Sequence, residues 1–130
     1  MPVLADRIDQ LEHDATTFST AQIAAYLQEQ LGQRMAAYLA GLTAVKQIGR
    51  YMREDGPDPR DNVERRLREG YKVVRMIVEA YDAKTAKAWL FGTNTRLDDN
   101  APIEVLREAE STEDFIPVRR AARQFASVDA

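Results

Sequence analysis

The chain contains no cysteine, which excludes disulfide staples and thiolate-held metal sites. Its one histidine, His13, sits between Glu12 and Asp14 and has no second histidine to complete a metal site. It reads as a solvated residue near a helix end. No apolar run approaches the roughly 18–20 residues of a membrane span. Met1-Pro2-Val3-Leu4 leads at once into Asp6, Arg7 and Asp9, so no signal peptide is expected and the cytoplasm is the expected compartment. A phosphate-binding glycine loop, a dinucleotide glycine pattern and a Ser/His/Asp set are all missing. The expectation is a protein that is not an enzyme, with no metal, no cofactor and no small-molecule substrate. Asp98 and Asp99 could be paired for acid–base work, but they precede a helix start, where negative charge is favourable. Glu104 reads likewise as a first-turn or capping residue.

What is present is helical. Apolar residues make up 45% of the 130 positions, enough for a core, and charged residues 30%, enough for a solvated surface. The length fits one domain, or two small helical modules sharing a core. No segment alternates with period two, so the fold class is all-α. Leu4, Ile8 and Leu11 mark an amphipathic first helix. Phe18-Ser19-Thr20-Ala21-Gln22-Ile23 is a helix start with a capping box on Ser19 and Gln22 and a staple from Phe18 to Ile23. That helix buries Ile23, Leu27 and Leu31 and ends at Gly32. A helix over Gln33 to Ala40 and another from about Thr43 to Arg53 follow, the latter with Val45, Ile48 and Tyr51 or Met52 facing inward. The Glu-Asp-Gly-Pro-Asp-Pro run at 54–59 is the clearest break and divides the chain into 1–56 and 57–130.

The longest helix spans residues 60–81, with a stripe of Val63, Leu67, Val74, Ile77 and Tyr81. Asp61–Arg65, Glu64–Arg68 and Arg75–Glu79 are spaced as i,i+4 ion pairs. Gly70 costs about 1 kcal/mol relative to alanine in a helix interior, and close approach of another helix would explain it. Asp82 caps the next helix, which carries Ala86, Trp89 and Leu90 and stops at Gly92. A polar turn with Asn94, the packing residue Leu97 and a helix opened by Pro102 follow. Trp89, Leu90, Leu97, Ile103, Val105 and Leu106 must pack on the chain's own helices or on a partner. The last helix starts either at Ser111-Thr112-Glu113-Asp114 or near Pro117. It buries Val118, Ala121, Ala122 and Phe125 and leaves Arg119, Arg120 and Arg123 outward, as a solvated face or as a site for an anionic patch on a partner.

The net charge of −3 conceals a basic middle. Residues 33–75 hold ten basic and six acidic side chains between acidic flanks. The segment from Gln33 to Tyr51 has the outline of a helix-turn-helix. On that reading Thr43, Lys46, Gln47 and Arg50 project from the second helix, Gln47 toward adenine and Arg50 toward guanine or phosphate. Gln33 and Arg34, at the first helix's amino end, would hold the DNA backbone. The alternative is a plain helical hairpin with a solvated face.

From about Arg60 to Phe125 the sequence resembles the toxin-binding domain of the Xre/MbcA/ParS antitoxin family. The stretches that carry the resemblance are Arg65-Arg66-Leu67-Arg68-Glu69-Gly70-Tyr71, Ala88-Trp89-Leu90-Phe91-Gly92-Thr93-Asn94, Arg96-Leu97-Asp98-Asp99, Ala101-Pro102-Ile103-Glu104-Val105-Leu106 and Ala121-Ala122-Arg123-Gln124-Phe125. The half before Pro57 looks like the family's helix-turn-helix. Tyr51 stands where family members often carry tryptophan, Ala101 where a capping serine is common, and Arg107-Glu108-Ala109 where a glycine often follows. The resemblance implies a helix-turn-helix bundle followed by a helical toxin-binding domain, in a type II antitoxin that forms a homodimer. Its implied partners are a cognate toxin, of the NAD-degrading RES class, and operator DNA. The toxin contact would fall on Trp89, Asn94, Arg96, Arg119, Arg120 and Arg123. The rival expectation is a stand-alone helix-turn-helix regulator whose carboxy-terminal half only dimerises.

Overall fold

Side-chain caps and glycines set several of the helix boundaries. The computed structural model describes residues 4–127, with side chains from Asp6 onward; Met1, Pro2 and Val3 and the Leu4 side chain, on which parts of the expectations rest, lie outside the described residues. Within them are α1 (Leu4–Thr17), α2 (Thr20–Leu31), α3 (Gln33–Leu39), α4 (Gln47–Tyr51), α5 (Asp61–Ala80), α6 (Ala83–Phe91), a 3-10 turn (Thr95–Leu97), α7 (Pro102–Glu108) and α8 (Thr112–Ser127). No strand occurs among the described residues, and the fold is all-helical.

The expected capping box opens α2. The Ser19 hydroxyl accepts from the Gln22 N–H at 3.1 Å, and the Gln22 side chain accepts from the Ser19 N–H at 2.8 Å. Gly32, at φ +87°, ends α2 and admits α3 directly. Asp82 caps α6 by accepting from Thr85 N–H at 2.7 Å. Hydrogen bonds from the Thr85 side chain and backbone hold its carboxyl below the usual aspartate range. The Asp114 carboxylate accepts from the N–H groups of Glu110 and Ser111 at 3.0 and 3.1 Å, and this fixes the earlier of the two expected starts of α8. Pro117 therefore lies inside the helix, where it cannot donate back to Glu113.

The expected helix from Thr43 to Arg53 shrinks to the five residues of α4. Residues 43–46 form turns instead, closed by N–H to C=O contacts of i→i+3 type from Gln47 to Ala44, Ile48 to Val45 and Gly49 to Lys46. Gly49 costs about 1 kcal/mol in a helix, and so short a segment has few bonds with which to repay nucleation. Only Ile48 of the expected inward set is fully buried; Tyr51 and Met52 are half-buried and Val45 is exposed.

α5 is the central helix, packed against α1, α2, α3, α6, α7 and α8. Its expected stripe of Val63, Leu67, Val74 and Ile77 is buried, and Tyr71, Val73 and Met76 are buried beside it. A helix surrounded by neighbours needs more than the single apolar stripe of a surface helix. Tyr81 was expected to extend the stripe, but α5 stops at Ala80, so Tyr81 leaves the helical register and is exposed. Gly70 lies where α3 crosses: a Cβ there would overlap Leu39 Cδ2 and stand 3.1 Å from Cδ1. Of the expected ion pairs, Glu64–Arg68 and Arg75–Glu79 are formed, each at 3.1 Å.

One apolar cluster runs from Ile8 to Ala126 and takes in helices on both sides of the 54–59 segment. Residues 1–56 and 57–130 thus share a core. Leu90, Leu97, Ile103 and Leu106 are buried in it, while Trp89 and Val105 pack half-buried against it. Each full burial of such a side chain is worth about 1.5–3 kcal/mol. The chain's own helices, not a missing partner, cover most of the apolar residues between 88 and 106.

Candidate functional site

Two surfaces hold the residues singled out from sequence. The first lies on the α3–α4 side. Gln33 and Arg34 are exposed at the amino end of α3, directly after Gly32. Thr43 and Lys46 are exposed in the turns that precede α4, and Arg50 is exposed in its last turn. They therefore do not project from one helix, as the sequence suggested, because Thr43 and Lys46 precede its start. Gln47 is half-buried and its side-chain oxygen accepts from Ala44 N–H at 3.3 Å, so it is engaged in shaping the turn.

Part of the basic charge of residues 33–75 is engaged within the fold. Arg68 donates from Nη1 to the carbonyls of Ala15 at 2.9 Å and Phe18 at 2.8 Å, closing the carboxy end of α1. Arg66, 8% exposed, donates from Nε to Ala109 C=O at 3.1 Å, at the end of α7. From α7, Arg107 reaches the Tyr38 carbonyl in the last turn of α3 at 2.7 Å and lies 4.2 Å over the Tyr38 ring. Cations at helix carboxy ends satisfy orphan carbonyls and complement the helix dipole. Arg75 bridges Asp14, Glu79 and the Tyr71 hydroxyl. Burial alone would raise the Asp14 carboxyl, but the hydrogen bonds from Arg75 and Gln10 outweigh it and hold the group low. What remains exposed on this side is Arg34, Lys46, Arg50, Arg53 and Arg60, none of them ion-paired within the described residues.

The second surface belongs to α6, the Asn94 turn and α8. Trp89 is half-buried, its ring 6.1 Å from that of Phe125, which also meets Tyr81 at 5.2 Å. This aromatic group ties α6 to the end of α8. Asn94 builds the turn: its side-chain oxygen accepts from Arg96 N–H at 3.0 Å, and its carbonyl accepts from Leu97 and Asp99. Arg96 is exposed beside Asp98 and Asp99, both in left-handed conformation. Glu104, in the first turn of α7, accepts from the Tyr38 hydroxyl, so it tethers α7 to α3 and does not cap.

Arg120 and Arg123 are exposed, and Arg119 is half-buried, 3.6 Å from Glu69 across a gap too long for a hydrogen bond. With Ile8, Met76, Ile116 and Glu12 they line a groove of about 290 Å³ between α1, α5 and α8. At 3.6 residues per turn the three arginines lie roughly 120–160° around α8 from Phe125. Trp89, against Phe125, and the arginines thus occupy different sides of α8 and do not form one patch.

The residue that sequence reasoning missed is Phe91, 61% exposed and the most exposed large apolar side chain described. The signal was present, since Ala86, Trp89 and Leu90 define the inward face of α6 and Phe91 falls off it. Lys84, Lys87, Ala88 and Phe91 repeat at i, i+3, i+4 and i+7, and all four are exposed. No group of three metal-ligating side chains converges among the described residues, and no helix there is long and apolar enough to cross a membrane. No protein-family model matches the chain, nor does any curated protein or solved structure.

Proposed function

We propose that this chain is a cytoplasmic, non-enzymatic antitoxin that neutralises a toxin sterically, with no chemistry of its own. The observation that carries the reading is the unit from Asp82 to Glu108. There a capped α6 presents Phe91 with Lys84 and Lys87 on its outer face, beside an Asn94-built turn and a proline-led helix. Isolated apolar side chains on a surface are ordinary. Phe91 is more telling because it sits on a helix fixed at both ends, by Asp82 and by packing of Trp89 and Leu90. A large aromatic on a rigid element is the usual anchor of a protein interface. The toxin class suggested by the sequence resemblance is the RES-domain NAD-degrading enzyme.

In this reading the exposed cations at Arg34, Lys46 and Arg50 contact operator DNA when the protein, as a homodimer or in complex with toxin, represses its own operon. The rival, a helix-turn-helix regulator without a toxin, is favoured by the burial of Leu90, Leu97, Ile103 and Leu106 in the chain's own core. Co-expression with the product of the adjacent gene, followed by co-purification, separates the two. The expected result is a stable complex that Phe91→Glu abolishes with its melting temperature nearly unchanged. Absence of any complex with the unaltered chain overturns the antitoxin reading, and retained operator binding would then leave the regulator.

A further inference from the structure

Between the α3–α4 turns and the amino end of α5 lies a polar pocket of about 300 Å³. Its polar lining is Thr43, Gln47, Tyr51, Arg60, Asn62 and Arg66. It holds two arginines and no carboxylate. The grooves over Arg75, Arg68 and Arg120, by contrast, each include at least one acidic residue.

Arg66 is the informative member. It is only 8% exposed, yet it has no ion pair among the described residues, and its sole hydrogen bond is from Nε to Ala109 C=O. Neither terminal nitrogen has a protein acceptor among the described residues, and neither is sealed from solvent. The guanidinium lies over Gly41: a Cβ at that position would collide with Nη1 and stand 3.2 Å from Cζ. Gly41, at φ +80°, thus both makes the turn and leaves room for the cation. A guanidinium without a counter-ion at the wall of a pocket leaves donors that an anion entering the pocket can engage. The amides around it are set as donors. Gln47 uses its oxygen on Ala44 N–H and Asn62 uses its oxygen on Val63 N–H, which leaves each with a free NH2. Arg60, exposed at the rim, makes no side-chain cap on α5.

We propose that this pocket binds a phosphate-type oxyanion, held by the forked guanidiniums of Arg66 and Arg60 and by the Thr43 and Tyr51 hydroxyls. Planar guanidinium forks suit phosphate oxygens. The phosphate has two possible sources, a small phosphate ligand or the backbone of bound DNA, since Thr43 and Gln47 also belong to the candidate DNA-contacting set.

The test uses the full chain and does not depend on a toxin. Melting temperature and heat of binding are followed against inorganic phosphate, with chloride at matched ionic strength as the control. A saturable, phosphate-specific stabilisation is expected. Arg60→Ala, at an exposed position, should weaken phosphate binding about tenfold while leaving the unliganded melting temperature unchanged. Arg66→Lys keeps the buried charge but removes the fork, and should weaken it similarly. If phosphate also displaces a short duplex, and Arg60→Ala flattens the salt dependence of DNA binding by about one ion, the source is the DNA backbone. If DNA binding is untouched, the ligand is a small phosphate. A chain stabilised no more by phosphate than by chloride overturns the proposal, whatever it does with DNA.

Discussion

Gly70→Ala sets two opposing effects against each other. Alanine is favoured over glycine in a helix interior by about 1 kcal/mol, and Gly70 lies in the middle of α5. The new Cβ, however, would overlap Leu39 Cδ2 and lie 3.1 and 3.2 Å from Cδ1 and Cγ. Leu39 is fully buried, so the whole isobutyl group must move into packed surroundings. Overpacking of that kind costs about 1–3 kcal/mol. The net expectation is a destabilisation of about 1 kcal/mol, or roughly 3–5 °C in melting temperature for a chain of this size. Urea denaturation of the unaltered chain, Gly70→Ala, Leu39→Ala and the double variant closes the cycle. Leu39→Ala alone should cost about 2–5 kcal/mol. Its cost should fall by about 1 kcal/mol in the Gly70→Ala background, where the added methyl occupies part of the vacated space. A stabilising Gly70→Ala, or strictly additive effects, would refute close α3–α5 approach as the reason for this glycine.

Two further outcomes follow from the charged groups inside the fold. Arg68→Ala removes the donors to the Ala15 and Phe18 carbonyls and should cost about 2 kcal/mol after allowance for partial exposure; hydrogen exchange should quicken at the end of α1, and unchanged protection there would count against the cap. The Asp14 carboxyl is held below its unfolded value, so its contribution is present above pH about 4 and fades as pH falls through the depressed folded value. The melting-temperature gap between the unaltered chain and Asp14→Asn should therefore shrink on acidification below about pH 4, whereas a gap constant with pH would remove Asp14 as its source.

Legibility in the sequence followed locality. Ser19 with Gln22, Asp82 and Gly32 declared helix boundaries because a cap needs residues only a few positions apart. The single stripe of Val63, Leu67, Val74 and Ile77 and the need for a close neighbour at Gly70 were readable from period and propensity, whereas the burial of Tyr71, Val73 and Met76 depends on helices packed around α5 on several sides. The identity of that neighbour, Leu39, was not, because it lies in a different helix. α4 was over-extended because its periodicity continued past what Gly49 and the 43–46 turns allow. The carboxylates and arginines were hardest. Glu104 reads as a first-turn or capping residue, and it does stand in the first turn of α7, but its carboxylate serves Tyr38, far away in sequence. Arg66 receives no role of its own from the sequence, yet it is buried and lines a pocket with residues of the α3–α4 turns and the start of α5.

The same non-local pairing changes what the charge pattern can mean for DNA. A basic middle in a sequence counts every arginine as if it contributed to the surface field. Here Arg68 and Arg75 are tied to a helix end or to carboxylates inside the fold, so they hold α1 and α5 together more than they attract phosphate. The free cations on the α3–α4 side are interleaved with exposed Glu54, Asp55, Asp58 and Asp61, which weakens any long-range pull on a duplex. On the proposed reading, DNA affinity from this face would have to come from a few short-range contacts, so it should be modest in strength and depend on geometry. Arg60 and Arg66 matter to that reading: the phosphate site proposed at their carboxylate-free pocket would supply one firm contact where diffuse charge offers little. The proposed docking through Phe91 would also cover Lys84 and Lys87 on the same face of α6, so it requires a partner surface whose carboxylates meet them.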